Sequence, residues 1–240
     1  MFIYWLIFFI LIMIYIFRII LIYVISLITS KITCSTSIYD NFIKCKHMFI
    51  SNSDMSGPSN SFRIGIEWEA WMRPIIEKYK NKNKNCIDIG AHIGTHTKVM
   101  SEYFKTVYAF EPNPVSYYNL SVNVAEFPNV NIFNYALGSS KKKTKLNMNG
   151  ISTHSVTETF ENTDTKMIYL DNTDVKDVAF IKMDTEGTEI DIIRGMKNII
   201  KRDKPVIVFE DHTGNTINYL KKKHKYKITK INSTNYIAYL

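Results

Sequence analysis

DIGAHIGTHT, Asp88 to Thr97, closes the apolar run Asn85–Ile89, and a second apolar run, Thr106–Phe110, ends in Glu111. Strand, glycine turn, helix, strand, acid is the layout of a nucleotide-cofactor site at the mouth of a parallel sheet. Gly90 lets the backbone turn tightly and approach a ligand, and Gly94 lets the following helix begin against the strand, with Thr95 as its expected cap.

The spacing is Asp-x-Gly-x-x-x-Gly. A dinucleotide turn reads GxGxxG, because a pyrophosphate needs an open middle position; here the run is Gly90-Ala91-His92-Ile93-Gly94. A cofactor without phosphates has no such need. S-adenosylmethionine is one, with its amino-acid portion at the turn and its ribose facing an acid on the next strand. The spacing favours this methyl donor over a nicotinamide dinucleotide and leaves both open. Glu111, stiffened by Pro112 and Pro114, has the residue type to accept both ribose hydroxyls; capping the helix near Pro114 is its other reading.

Outward from this motif, β and α patterns alternate. Helices are expected at Thr95–Phe104, Val115–Glu126, Glu189–Lys201 and around Thr216–Lys223. Strands are expected at Val130–Tyr135, Met167–Leu170, Val178–Met183 and Val206–Phe209, with a closing pair at Tyr226–Ile231 and Tyr236–Leu240. Ser139–Thr165 is a polar, lysine-rich excursion of short hairpins and loops. The fold class is α/β: an open, mostly parallel sheet with an antiparallel C-terminal hairpin. Upstream, Ile64–Tyr79 has Trp68, Trp71, Ile75 and Ile76 spaced for one helical face, with Pro74 as a kink, and Ser51–Ser61 reads as a flexible linker.

Phe2–Ile28 carries one charge, Arg18, and is long enough as a helix, about 40 Å, to cross a ~30 Å hydrocarbon core. No secretory cleavage pattern is evident, so the expected organisation is a transmembrane anchor over 1–30, a juxtamembrane segment and linker over 31–61, and a catalytic domain over 62–240. Lys31, Lys44 and Lys46 follow the span and no basic residue precedes it, which orients a single-pass protein with its domain in the cytosol; the lumenal orientation is the alternative. The three cysteines, Cys34, Cys45 and Cys86, are odd in number and irregularly spaced, which argues against a disulfide scaffold and favours a reducing compartment. The net charge of +8 comes from dispersed lysines and short clusters, Lys141–Lys143 and Lys221–Lys223, without interleaved aromatics, so no nucleic-acid partner is expected.

A third cluster, IKMDTEGTE from Ile181 to Glu189, sets Lys182, Asp184, Glu186 and Glu189 at the end of a central strand. Ligands of open α/β sheets bind outside such strand ends, and buried acids there are costly unless paired or used. A lysine–acid pair with helix-start acids is the plainer reading. Glu210 and Asp211 end the next strand and are candidates for the same crevice. No spacing specifies a metal site.

DIGAHIGTHT, the AFEPNP of Ala109–Pro114, the ALG of Ala136–Gly138, the LD of Leu170–Asp171, IKMDTEGTEIDIIRGM and the KPVIVFE of Lys204–Glu210 occur in the order and spacing of the FkbM-family methyltransferases. The stretch Cys86–Asp211 resembles that family. The resemblance implies a class I, Rossmann-like fold that uses S-adenosylmethionine and methylates oxygen, often a hydroxyl of a sugar or secondary metabolite. It implies that Asp88, Gly90, Ala91 and Gly94 line the methionine end of the cofactor and that Glu111 takes the ribose. Asn134 to Leu137, with Asn134 and Ala136 foremost, fall where adenine is read, and Asp184, Glu186 and Glu189 match an acidic block. His92 stands where asparagine is frequent.

Methyl transfer to a hydroxyl needs alignment above all, and a positioned base helps. Asp184 and Glu186 are the candidate bases, His154 a loop-borne alternative, and Lys182 the residue that orients or balances the acids. The expected protein is thus a membrane-anchored O-methyltransferase acting on a glycan or small metabolite. A nicotinamide-dependent oxidoreductase and a membrane-tethered non-catalytic binding module are the rival readings.

Overall fold

In the computed structural model the described residues are Met13, Phe17, 34–36, 42–52, 54–147, 162–185 and 187–240. They divide into two compact units, one ending at Trp68 and one running Glu69–Leu240. Among the described residues no helix is long and apolar enough to cross a membrane. The anchor expected over 1–30 lies outside them, save Met13 and Phe17, which are helical and exposed.

The smaller unit holds three antiparallel strands, β1 (Cys34–Thr36), β2 (Phe42–Cys45) and β3 (Met48–Ser51), and a helix, α1 (Gly57–Arg63). The stretch read as a flexible linker therefore contains ordered structure. Ser56 caps α1 by accepting from the Ser59 N–H, and Pro58 sits in the first turn, where its missing N–H costs nothing. Serine, glycine and proline serve a helix start as readily as a loop. Arg63 is buried and donates to the carbonyls of Ser51 and Asp54 and to Asn60 Oδ1. Cys45 is disulfide-bonded, against the expectation from cysteine count. Its Cα partner across β1 and β2 is Cys34, a pairing created by strand register and invisible in linear spacing.

In the larger unit the elements run α2 (Met72–Lys78), β4 (Asn85–Ile89), α3 (Thr95–Tyr103), β5 (Val107–Phe110), α4 (Pro114–Val124), β6 (Val130–Phe133), β7 (Ala136–Leu137), β8 (Lys142–Asn147), β9 (Asn162–Ile168), β10 (Val178–Met183), α5 (Glu189–Gly195), α6 (Lys197–Asp203), β11 (Val206–Glu210), α7 (Asn215–His224), β12 (Lys227–Lys230) and β13 (Asn235–Tyr239). The main sheet has the order β12-β13-β11-β10-β4-β5-β6. All its pairings are parallel except those of β13, which lies between β11 and β12. The antiparallel C-terminal hairpin is present as β12 and β13, with β12 at the edge of the sheet. From β4 the chain winds outward through β5 and β6, then returns to lay β10 on the other side of β4. The β4–β10 boundary is the topological switch point, where open sheets of this kind bind ligands.

The central strands of the sheet are buried on both faces, and the pleat sorts their residues. Ile87, Ile89, Ile181, Met183, Ile207 and Phe209 form one layer with Ile192, Ile193, Ile199 and Ile200 of α5 and α6. Cys86, Val107, Phe180 and Val208 form the other with Met72 and Ile76 of α2 and Val99 and Met100 of α3. Two helix expectations change. Of Ile64–Tyr79 only Met72–Lys78 is helical in this unit, and Pro74 falls in its first turn, where it makes no kink. The expected Glu189–Lys201 helix is two helices that meet at Met196.

Gly195 explains that break. A Cβ there would lie 1.9 Å from the Gly138 carbonyl oxygen, so the chain after β7 runs directly against the end of α5. The ALG and RGM motifs are the two sides of this contact, joined also by Ser139 N–H donating to Asp191 Oδ2 at 3.1 Å. Gly195→Ala is expected to cost about 3 kcal/mol, the upper end for overpacking, because its neighbour is backbone. An unchanged urea midpoint would remove this account of the motif.

Candidate functional site

β4 and β10 pair in parallel with Asp88 opposite Lys182. Alternation puts both on the face that carries Cys86 and Phe180, towards α2 and α3, at the carboxyl ends of their strands. Asp88 is fully buried and Lys182 is 4% exposed. The Lys182 ammonium is 3.5 Å from Asp88 Oδ1 and 3.8 Å from Asp184 Oδ2, and it donates to the Gly90 carbonyl at 2.8 Å. Asp88 Oδ2 accepts from the Thr97 hydroxyl at 2.6 Å, while Oδ1 has no hydrogen-bond partner among the described residues. Burial pulls the Lys182 pKa down, but Asp88, Asp184, Glu69 and Glu111 more than offset it, and the lysine stays charged.

The glycine turn crosses this pair. Gly90 has φ +72, and a Cβ on it would sit 1.9 Å from the Asp184 carbonyl oxygen. The β4 turn and the β10 end are thus in backbone contact. Gly94, not Thr95, is the N-cap of α3, with a left-handed φ of 91 and no side-chain cap. Thr95 is the first helical residue, and Ala91 is buried.

At the tip of β5, Glu111 accepts from the His92 N–H through Oε2 and from the Asn113 N–H through Oε1, both at 2.8 Å. Burial pushes its pKa up to about 7; the two amide hydrogen bonds and Lys182 oppose that rise, and Asp88 adds to it. Asn113 caps α4 by accepting from Val115 and Ser116, so Glu111 is not the helix cap. Asn134, expected at the adenine edge, turns its amide inward and donates to the carbonyls of Glu111 and Pro112 at 2.9 and 3.0 Å. It braces the loop that presents Glu111. Ala136 is 1% exposed on β7.

The acidic block separates by role. Asp184 has its side chain 36% exposed beside Lys182. Glu189 is buried and accepts through Oε1 from Thr185 N–H, Thr185 Oγ1 and Gly187 N–H, which shapes the loop into α5. Glu186 and His154 lie outside the described residues. Asp211 holds the start of α7 by accepting from Thr213, Gly214 and Ile217, and Glu210 faces His212 at 3.3 Å. Among the described residues no group of His, Cys, Asp and Glu is arranged to hold a metal ion.

One pair was not anticipated. His96 Nε2, in the first turn of α3, donates to Glu69 Oε2 at 3.0 Å, with the side chains 8% and 19% exposed. Glu69 precedes α2 with φ 48, a left-handed conformation uncommon outside glycine. Burial pushes its carboxyl up, but the His96 hydrogen bond and the charges of His96 and Lys182 outweigh that and hold it below its ordinary value.

Residues 88–228 match the protein family described as "Methyltransferase FkbM domain". The chain is 33% identical over 135 residues to hexuronic acid methyltransferase AglP of Haloferax volcanii, covering 53% of this chain and 55% of that protein. It therefore spans about half the length of the curated relative that it matches. Its fold is similar to the crystal structure of methyltransferase FkbM from Methylobacillus flagellatus KT, with a TM-score of 0.50 and 16% identity over 75% of this chain and 52% of that one.

Proposed function

Because the chain belongs to the FkbM methyltransferase family, we propose that it transfers the methyl group of S-adenosylmethionine to a hydroxyl oxygen of a sugar, glycan or small metabolite. One observation carries the reading. Asp88 and Glu111 stand at adjacent strand tips, Glu111 with its oxygens fixed by two backbone amides, on either side of a turn that comes within contact of Asp184. Glu111 receives the ribose and the glycine turn the methionine end. The named activity of the Haloferax relative, on a hexuronic acid, supports a sugar acceptor. The family match favours methyl transfer over the nicotinamide and non-catalytic alternatives.

The reaction is a displacement at the sulfonium methyl: the acceptor oxygen bonds to the methyl carbon as the carbon–sulfur bond breaks, and the hydroxyl proton leaves to a base. Asp184 is the base assigned here, because it is the described acid of its block that is solvent-accessible and free of loop-shaping bonds, with Lys182 orienting it. Glu186 remains the second candidate. Asp184→Asn should lower the methylation rate about 100-fold with little change in donor affinity. Full activity of both Asp184→Asn and Glu186→Gln, assayed by mass gain on glycans from cells lacking the protein, would rule the assignment out.

The donor reading predicts a pH dependence. Burial raises the Glu111 pKa to about 7, so its carboxyl gains a proton as pH falls through neutrality. Ribose hydroxyls donate to the carboxylate form, so donor binding releases that proton and affinity falls as pH drops below about 7. Calorimetry in buffers of different ionisation enthalpy, on either side of neutrality, reads the released proton directly. Glu111→Gln should abolish the release, and a wild type that releases none would refute the ribose role.

Membrane attachment through Phe2–Ile28 belongs to the same proposal. Lys31, Lys44 and Lys46 carry the cytosolic orientation, whereas the disulfide at Cys45 favours an oxidising lumen. Protease protection of the domain in sealed microsomes decides between them.

A further inference from the structure

Four acids, Asp88, Asp184, Glu69 and Glu111, act on Lys182, and even with Glu111 protonated and His96 charged the carboxylates outnumber the cations. The surplus is negative, at a crevice in which the donor proposed above ends in an α-ammonium group. Three of these acids have defined tasks: Asp88 pairs with Lys182 and Thr97, Glu111 is anchored by two amides at the ribose end, and Asp184 stands at the acceptor side.

Glu69 is the fourth. It lies outside the matched family region, on the segment that leads into α2. His96 fixes it through Oε2, and Oε1 has no hydrogen-bond partner among the described residues. His96 itself belongs to the first turn of α3, directly beyond Gly94, so the pair stands next to the glycine turn. Its left-handed backbone is retained at a residue with no glycine-like freedom, which orders a carboxylate at a defined point.

We propose that Glu69, held in place by His96, is the carboxylate that receives the α-ammonium of the donor's amino-acid end. The assignment rests on S-adenosylmethionine being the donor. It makes the segment before α2 part of the cofactor site. The donor would then lie from Glu111 at its ribose to Glu69 at its ammonium, with the sulfonium between them.

Calorimetry of the full-length chain in detergent with three ligands tests it: S-adenosylmethionine, S-adenosylhomocysteine and 5′-methylthioadenosine, which keeps the ribose and thioether but lacks the amino-acid end. Glu69→Gln should weaken the first two alike, by about 10- to 100-fold, the range for a hydrogen bond to a charged group. Binding of 5′-methylthioadenosine should be unchanged, which also reports an intact fold. Glu69→Asp should recover part of the loss, and His96→Gln should reproduce it in weaker form. Unchanged affinity for all three ligands overturns the proposal, as does a loss shared with 5′-methylthioadenosine or one confined to S-adenosylmethionine. A wild-type chain that binds none of the three defeats the donor reading itself, and this assignment with it.

Discussion

Lys182→Met is expected to lower folding stability by about 3–5 kcal/mol, the penalty for removing one partner of a buried ion pair. Asp88 is fully buried and its Oδ1 has no hydrogen bond, so Lys182 is the cation that makes its charge tolerable. The substitution also removes the donor to the Gly90 carbonyl. Replacing both partners, as in Asp88→Asn with Lys182→Met, should recover much of the loss, because no charge is then stranded. Urea unfolding of the two single variants and the double variant measures the coupling. A Lys182→Met midpoint equal to wild type would mean that the pair contributes nothing to the fold.

Gly90→Ala should be comparably severe and should act on the site as well. The new Cβ would meet the Asp184 carbonyl oxygen at 1.9 Å, a backbone atom that cannot rotate away, in a left-handed conformation that L-residues disfavour. Relief requires the end of β4 to separate from the end of β10, the strand that carries Lys182 and leads into Asp184. We expect about 3 kcal/mol of destabilisation and no measurable donor binding in the folded fraction. Donor affinity retained in a folded Gly90→Ala variant would show that the turn does not set the crevice.

The sheet was legible because its strands are short apolar runs with clear ends; Asn85–Ile89 and Val178–Met183 are read to the residue. Glu111 was legible as the acid that directly follows β5, from its position after such a run. Less legible was what each acid does. Glu189 and Asp211 resemble Asp184 as letters at strand ends, yet one organises a loop and the other starts a helix, and only their backbone partners tell them apart. That Asn134 also braces the loop carrying Glu111 was not legible, because side-chain direction after a strand is set by tertiary contacts. Glu69 and His96 are 27 residues apart, and Glu69 sits in a stretch whose aromatic spacing mimics one continuous helix. The bonded state of Cys45 depended likewise on a register that linear spacing does not encode.

The pairing of Asp88 with Lys182 has a consequence for how the two halves of the sheet find each other. The boundary between β4 and β10 joins strands far apart in the chain, and both are apolar enough to slide. Shifted by one residue, Asp88 would enter the apolar layer of Ile87, Ile181 and Ile193 and lose its place opposite Lys182. The salt link therefore works as a key as well as a brace: it admits one alignment of the halves and penalises the neighbouring ones.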